Sequence, residues 1–256
     1  MKLVRSEEEW KETKIYEHEV IFIDSTPGYG GFSIKKQKAP IIAVRDYTHL
    51  KISDMTVYII EGDYYVERSK IIALNGNIKI NEQDNQTIVY PLTEYVKTKR
   101  WIENTKEYID APEVMHPEDV AFVSSQDEWD TLRTGRFEVI AITNGEIELE
   151  EQKAEHIIQL AGSVIIKEGV TLFTVNGKIY CEGGKVFGFD LAGTDPEKPV
   201  HTLDVVLTEG EVQQYGGGLM VIKGSFKTPY LRELEIRGEN IYSNDDFMHI
   251  CALQTF

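Results

Sequence analysis

The sequence predicts a mainly β protein: two related units of short strands, each opened by a short capping helix, stacked as short parallel β-solenoids. An antiparallel β-sandwich or meander is the alternative. Three observations carry this. The chain resembles itself across its two halves, each half opens on a helix-capping signature, and short β-branched runs recur between Gly and Asn-Gly steps.

The duplication comes first. VRSEEEWKETKIYEHEVIFID (4–24) aligns without a gap on VSSQDEWDTLRTGRFEVIAIT (123–143). The shared residues are Val4/Val123, Ser6/Ser125, Glu9/Glu128, Trp10/Trp129, Glu19/Glu138, Val20/Val139, Ile21/Ile140 and Ile23/Ile142. After a short deletion, TVYIIEGDYYVERSKIIAL (56–74) aligns on TLFTVNGKIYCEGGKVFGF (171–189), with Thr56/Thr171, Gly62/Gly177, Tyr65/Tyr180, Glu67/Glu182 and Lys70/Lys185 in common. Fixed-offset self-similarity marks a repeated architecture, so the expected units are 1–115 and 116–256.

Ser6 and Ser125 each precede a glutamate by three residues, the spacing of a capping box. A short helix should start there and bury Trp10 or Trp129. The pattern then turns to period two. In the second unit the expected strands are 138–142, 156–160, 163–166, 171–175, 178–181 and 185–189, with the charged EIELE at 146–150. The first unit offers EVIFI, PIIAV, THLKI, TVYII, DYYV, KIIAL and NIKI. In a meander each Asn-Gly would be a type I′ turn. In a solenoid, three strands would fill a coil of roughly twenty to twenty-five residues, with Gly at the corners. LTEYVKTKRWIENTKEYI (92–109) reads as an amphipathic helix, DLAGTDPEKPV (190–200) as a loop, and HTLDVVL, GGLMVIKG, LRELEIRG and MHICALQ as further strands.

The stretch 123–190, with its SSQDEW opening, NGEIEL step and VTLFTVNGKI coil, resembles right-handed β-helix proteins of the pectin-lyase-like superfamily; 4–80 resembles them more weakly. The resemblance implies a parallel β-helix and raises carbohydrate binding or processing as a function. Enzymes of that kind set Asp, Lys, Arg or His along one sheet, and no position here matches such a motif.

Charge narrows the functions. Against 27 Lys and Arg stand 43 Asp and Glu, a net charge of −16, in a chain that is 41% apolar. That excess argues against sequence-independent grip on nucleic acid or anionic membrane, which needs clustered cations. It suits a basic protein partner. No apolar leader and no long apolar span stands in the sequence, which points to a soluble, cytoplasmic protein. Cys181 and Cys251 sit in apolar alternating stretches and read as buried thiols, with pairing left open. The six histidines are isolated, so no metal and no cofactor is expected. PGYGGF (27–32) and YGGG (215–218) lack phosphate-loop spacing and read as turns or bulges. No nucleophile motif occurs, so no catalytic residue is assigned.

The expectation is therefore a non-enzymatic acidic scaffold binding a basic protein, as an inhibitor or immunity-type neutraliser. Tyr29, Tyr215, Glu148, Glu150 and Glu151 are its candidate contacts. A carbohydrate-binding or carbohydrate-processing β-helix is the second reading. A phage-type structural subunit, assembling as a homo-oligomer, is the third.

Overall fold

The computed structural model describes residues 1–25, 32–191, 202–238, 241–243 and 249–250. The chain forms two compact units, Met1–Val120 and Ala121–Phe256, and each is a parallel β-solenoid. Tyr29, Cys251 and the part of the expected loop from 192 onward lie outside the described residues.

The second unit shows how a coil is made. Val139–Ile142 pairs in parallel with His156–Gln159, which pairs with Thr171–Thr174. These form one face. Glu146–Leu149 pairs in parallel with Ser163–Lys167, which pairs with the first half of Gly177–Phe189, forming the other. The long strands Gly177–Phe189 and Leu203–Tyr215 bend around a corner and serve both faces. A coil thus holds two strands, not three. Val139 faces His156, Ser163 faces Lys178 and Thr171 faces Lys185, steps of 17, 15 and 14 residues that are shorter than the expected coil. Several corners are only a few residues long because a positive-φ glycine makes them, as Gly145, Gly162 and Gly169 do.

Asn-Gly steps are corners here rather than hairpin turns. Gly145, Gly162 and Gly177 have φ of 86°, 86° and 111° and stand in a column. A Cβ on Gly162 would lie 2.6 Å from the Gly145 oxygen, and one on Gly177 2.5 Å from the Gly162 oxygen. The column closes only if every member lacks a side chain.

The two faces differ in a way their sequences encode. In Glu146–Leu149 and Ser163–Lys167, Ile147, Leu149, Val164 and Ile166 point into the core while alternate residues meet solvent. Val139–Ile142 is buried throughout, as its unbroken apolar run implies, and so is His156–Gln159, including its polar ends His156 and Gln159. The first unit repeats this. Ile21, Ile23, Ile42 and Val44 lie in its inner cluster, while Phe22 and Ala43 lie outside it and are buried all the same.

Both capping helices form, α1 at Glu7–Glu12 and α2 at Gln126–Thr131, with Trp10 and Trp129 buried. Ser6 and Ser125 Oγ accept from the backbone N–H of Glu9 and Glu128 at 3.2 and 3.3 Å. The glutamates reach back one residue beyond the cap, to the N–H of Arg5 and Ser124. The helix ends are closed by a device that sequence reading missed, the triplet Gln-Lys-Ala at 37–39 and again at 152–154. Lys38 Nζ donates to the carbonyls of Trp10 (2.5 Å) and Thr13 (2.7 Å) and lies 4.9 Å from the Trp10 ring centre. Lys153 Nζ donates to Trp129 (2.9 Å) and Leu132 (3.2 Å) and lies 5.3 Å from the Trp129 ring centre. Each lysine supplies the positive charge and the donors that a helix C-terminus lacks. The preceding glutamine accepts from the next coil: Thr56 N–H donates to Gln37 and Thr171 N–H to Gln152, both at 2.8 Å.

The expected helix over 92–109 is a correction. Val96–Ile102 pairs in parallel with Gly76–Ile80, and Glu107–Asp110 turns back antiparallel to it. Val96 and Thr98 point inward while Lys97 is exposed, a period of two that the helical spacing of Leu92, Val96 and Ile102 disguised. Glu107–Asp110 is the last strand on its sheet's path, with all four residues exposed.

Candidate functional site

The outer face of the first unit is built by alternation. Ile34, Ile52, Val66 and Ile80 enter the core, so their neighbours in Ser33–Lys35, Ile41–Ser53, Thr56–Glu67 and Gly76–Ile80 project outward. Register puts Ser33, Lys51, Tyr65, Lys79 and Lys99 in one row across five strands. At about 4.8 Å per strand, Lys51 and Lys79 are about 10 Å apart at Cα, with Tyr65 between them. The terminal hairpin adds two more rings. Tyr108 pairs with Trp101, with ring centres 5.0 Å apart.

All of these except Lys99 line a cleft of about 510 Å³, with Ser33, Ser53 and Asn81 as its neutral polar groups. Tyr65 and Tyr108 are 37% and 38% exposed, enough ring surface to meet a ligand. Lys79 Nζ lies 5.3 Å from the Tyr65 ring centre and 5.9 Å from that of Tyr108, held from the side by Asp63 at 3.4 Å. Lys35 and Lys51 are exposed and carry no ion pair among the described residues. The cleft's one carboxylate, Glu67, is paired with Arg68. Burial and the hydrogen-bonded Tyr65 hydroxyl push the Tyr108 phenol up, so it stays neutral. In a chain of net charge −16, this is a locally cationic, aromatic hollow.

The sequence-predicted contacts lie elsewhere. Tyr215 is half-buried in an aromatic ladder, stacked on Phe189 at 5.5 Å and 6.0 Å from Tyr230. Its packing explains it better than a role as a free contact. In the YGGG that follows, a Cβ on Gly217 would lie 2.4 Å from the Leu203 oxygen, so that glycine makes a corner. Glu148 shares Lys167 with Glu182, at 2.9 and 2.6 Å. Both carboxylates raise the Lys167 pKa, Glu182 most, so this part of the acidic face is partly compensated from within. Glu150 and Glu151 are exposed, Glu151 3.5 Å from Lys153. Cys181 is a buried free thiol whose pKa burial pushes up to about 11. His116 Nδ1 lies 3.1 Å from Glu118 and 3.7 Å from Asp119, a partly exposed polar cluster built from one short stretch.

A helix over 92–109 would not bring Trp101 and Tyr108 to Tyr65 and Lys79, which is why the sequence does not point to this cleft. The alternation of Lys97, Lys99 and Trp101 was the available signal. No protein-family model, curated protein or solved structure matches this chain. No helix among the described residues is long and apolar enough to cross a membrane.

Proposed function

We propose that this protein is a carbohydrate-binding β-solenoid whose ligand is an anionic glycan seated in the cleft of the first unit. One observation carries the reading: Trp101, Tyr108 and Tyr65 stand beside Lys35, Lys51 and Lys79 around a single hollow. Aromatic rings offer flat apolar faces to sugar rings. Serine and asparagine groups suit hydroxyls, and lysines spaced across strands suit carboxylates along a chain. A polyphosphate chain fits less well, because a charge at every step meets the full repulsion of a −16 protein. The proposal assigns no catalytic step.

The test is thermal denaturation with a panel of uronate-containing oligosaccharides, neutral oligosaccharides and single-stranded oligonucleotides. A ligand that binds only the folded state raises the melting temperature. The expected result is a concentration-dependent rise with acidic oligosaccharides that Trp101→Ala and Lys79→Ala each abolish. No rise with any glycan, or a rise unchanged in both variants, counts against the proposal. A rise with oligonucleotides alone would move the site to another class of ligand.

A further inference from the structure

The duplicated scaffold presents the same tyrosine in two surroundings. Tyr65 in the first unit corresponds to Tyr180 in the second. Register flanks Tyr65 with Lys51 and Lys79, but Tyr180 with Ile165 and Val206. Met220 extends the second row, which is closed at its ends by Glu148 and Glu235. An apolar stripe of four side chains therefore crosses the outer face of the second unit, all four half-exposed.

The edge of that stripe is acidic. Gly218 stands in register between Asp204 and Glu233, and its missing side chain helps open a hollow of about 250 Å³. Val206 and Met220 line the hollow, together with the carboxylates of Asp204, Glu233 and Glu235 against the single cation Lys178. These three acids are exposed; Glu235 is engaged by Arg237, and Asp204 stands in register with Lys178, whose ammonium lies 5.1 Å from the Tyr180 ring centre. At the opposite end of the same face Lys167 bridges Glu148 and Glu182, one cation between two carboxylates.

We infer that the outer face of the second unit, centred on Val206 and Met220, docks a cationic segment of a partner protein in which Lys or Arg alternates with apolar residues. The apolar side chains cover the stripe. A lysine or arginine stem lies along Val206 and Met220 with its charged head among Asp204 and Glu233. The site is independent of the glycan cleft, which belongs to the other unit and has the opposite charge.

The test uses three labelled synthetic peptides, alternating Lys-Val, Lys-Ser and Glu-Val, each titrated with the full chain by fluorescence anisotropy. The Lys-Val peptide is expected to bind, and to bind at least roughly tenfold more tightly than Lys-Ser, which has charge without apolar surface. Val206→Lys and Met220→Lys should each weaken it by roughly tenfold or more through like charge at the contact. Asp204→Asn with Glu233→Gln should weaken it less and flatten its salt dependence. Lys97→Glu, exposed on the first unit and outside its cleft, should leave it unchanged, and circular dichroism checks that each variant is folded. No binding of Lys-Val, equal binding of Lys-Ser, or full binding by folded Val206→Lys and Met220→Lys overturns the inference.

Discussion

The glycine column makes a sharp stability prediction because the second unit contains its own control. Gly162 and Gly169 have nearly the same φ, 86° and 83°. A Cβ on Gly169 would meet nothing within 4 Å, whereas one on Gly162 would lie 2.6 Å from the Gly145 oxygen and 2.8 Å from the Asn144 carbonyl carbon. Gly169→Ala therefore carries only the left-handed backbone cost, offset in part by lost freedom in the unfolded chain, a net of about 1 kcal/mol. Gly162→Ala carries that cost and must also push adjacent coils apart. The hydrogen bonds at risk are Ser163 N–H to Gly145 O at 2.8 Å and Lys178 N–H to Gly162 O at 3.0 Å. At about 1 kcal/mol each, with about 1 kcal/mol more for the overlap, the loss comes to about 4 kcal/mol. Urea unfolding reads the difference, followed by Trp129 fluorescence with Trp10 and Trp101 replaced by Phe. With a slope of about 2 kcal/mol per molar, the midpoint should fall by about 0.5 M for Gly169→Ala and about 2 M for Gly162→Ala. Equal falls would refute the argument that close stacking, rather than backbone angle alone, requires glycine in the column.

Three further outcomes follow from the same geometry. Lys153→Met removes the donor to the carbonyls of Trp129 and Leu132. It should lower stability by about 2 kcal/mol, with Lys153→Arg recovering part, as thermal denaturation would show. Burial alone would raise the Asp84 pKa, but donation from Thr87 Oγ1 and the N–H groups of Gln86, Arg68 and Thr87 outweighs it and leaves the pKa lowered. A lowered carboxylate stabilises fully above its unfolded pKa and loses that as pH falls through the folded value. The stability gap between wild type and Asp84→Asn should hold from about pH 5 to 8 and shrink below about pH 4; a gap constant down to pH 2 would contradict this. Cys181, with its pKa pushed up to about 11, should resist a thiol reagent at pH 8 in Cys251→Ser protein until denaturant is added.

Local chemistry was legible in the sequence, and long-range partnership was not. Ser6 and Ser125 announce their helices because a cap is satisfied within four residues. EVIAI and EIELE announce strands because burial on two sides or one writes itself into each run. Coil length escaped notice because Asn-Gly is equally good chemistry for a hairpin and for a solenoid corner; the choice is made by the neighbouring coil, as Gly145 O makes it for Gly162. The helix misreading over 92–109 has the same origin. Its apolar spacing fits either structure, and pairing with Gly76–Ile80 decides. The Gln-Lys-Ala triplets were visible, but a lysine looks like surface until a helix end is known to lie beside it. The cleft was the least legible feature, since its residues come from five strands and a returning hairpin.

That hairpin does two jobs that can be separated. As the last strand on its sheet's path, Glu107–Asp110 reverses direction and sets charged residues at both of its ends, which discourages a further strand from adding to the edge. It also delivers Tyr108 opposite Trp101. Both duties bear on the pair Tyr108 and Ile109, which are 38% and 49% exposed on alternate sides of the strand. Exchanging them, Tyr108→Ile with Ile109→Tyr, keeps composition and β-propensity while moving the ring to the opposite face. Neither side chain is buried, so the exchange should cost less than about 1 kcal/mol and leave the chain as monodisperse as wild type. Acidic-oligosaccharide stabilisation should disappear with the ring, because Lys79 loses one of its two aromatic neighbours and Trp101 its partner. Retained glycan binding in the exchanged protein would show that Tyr108 serves only the edge. A large loss of stability would show that edge and cleft are one unit after all.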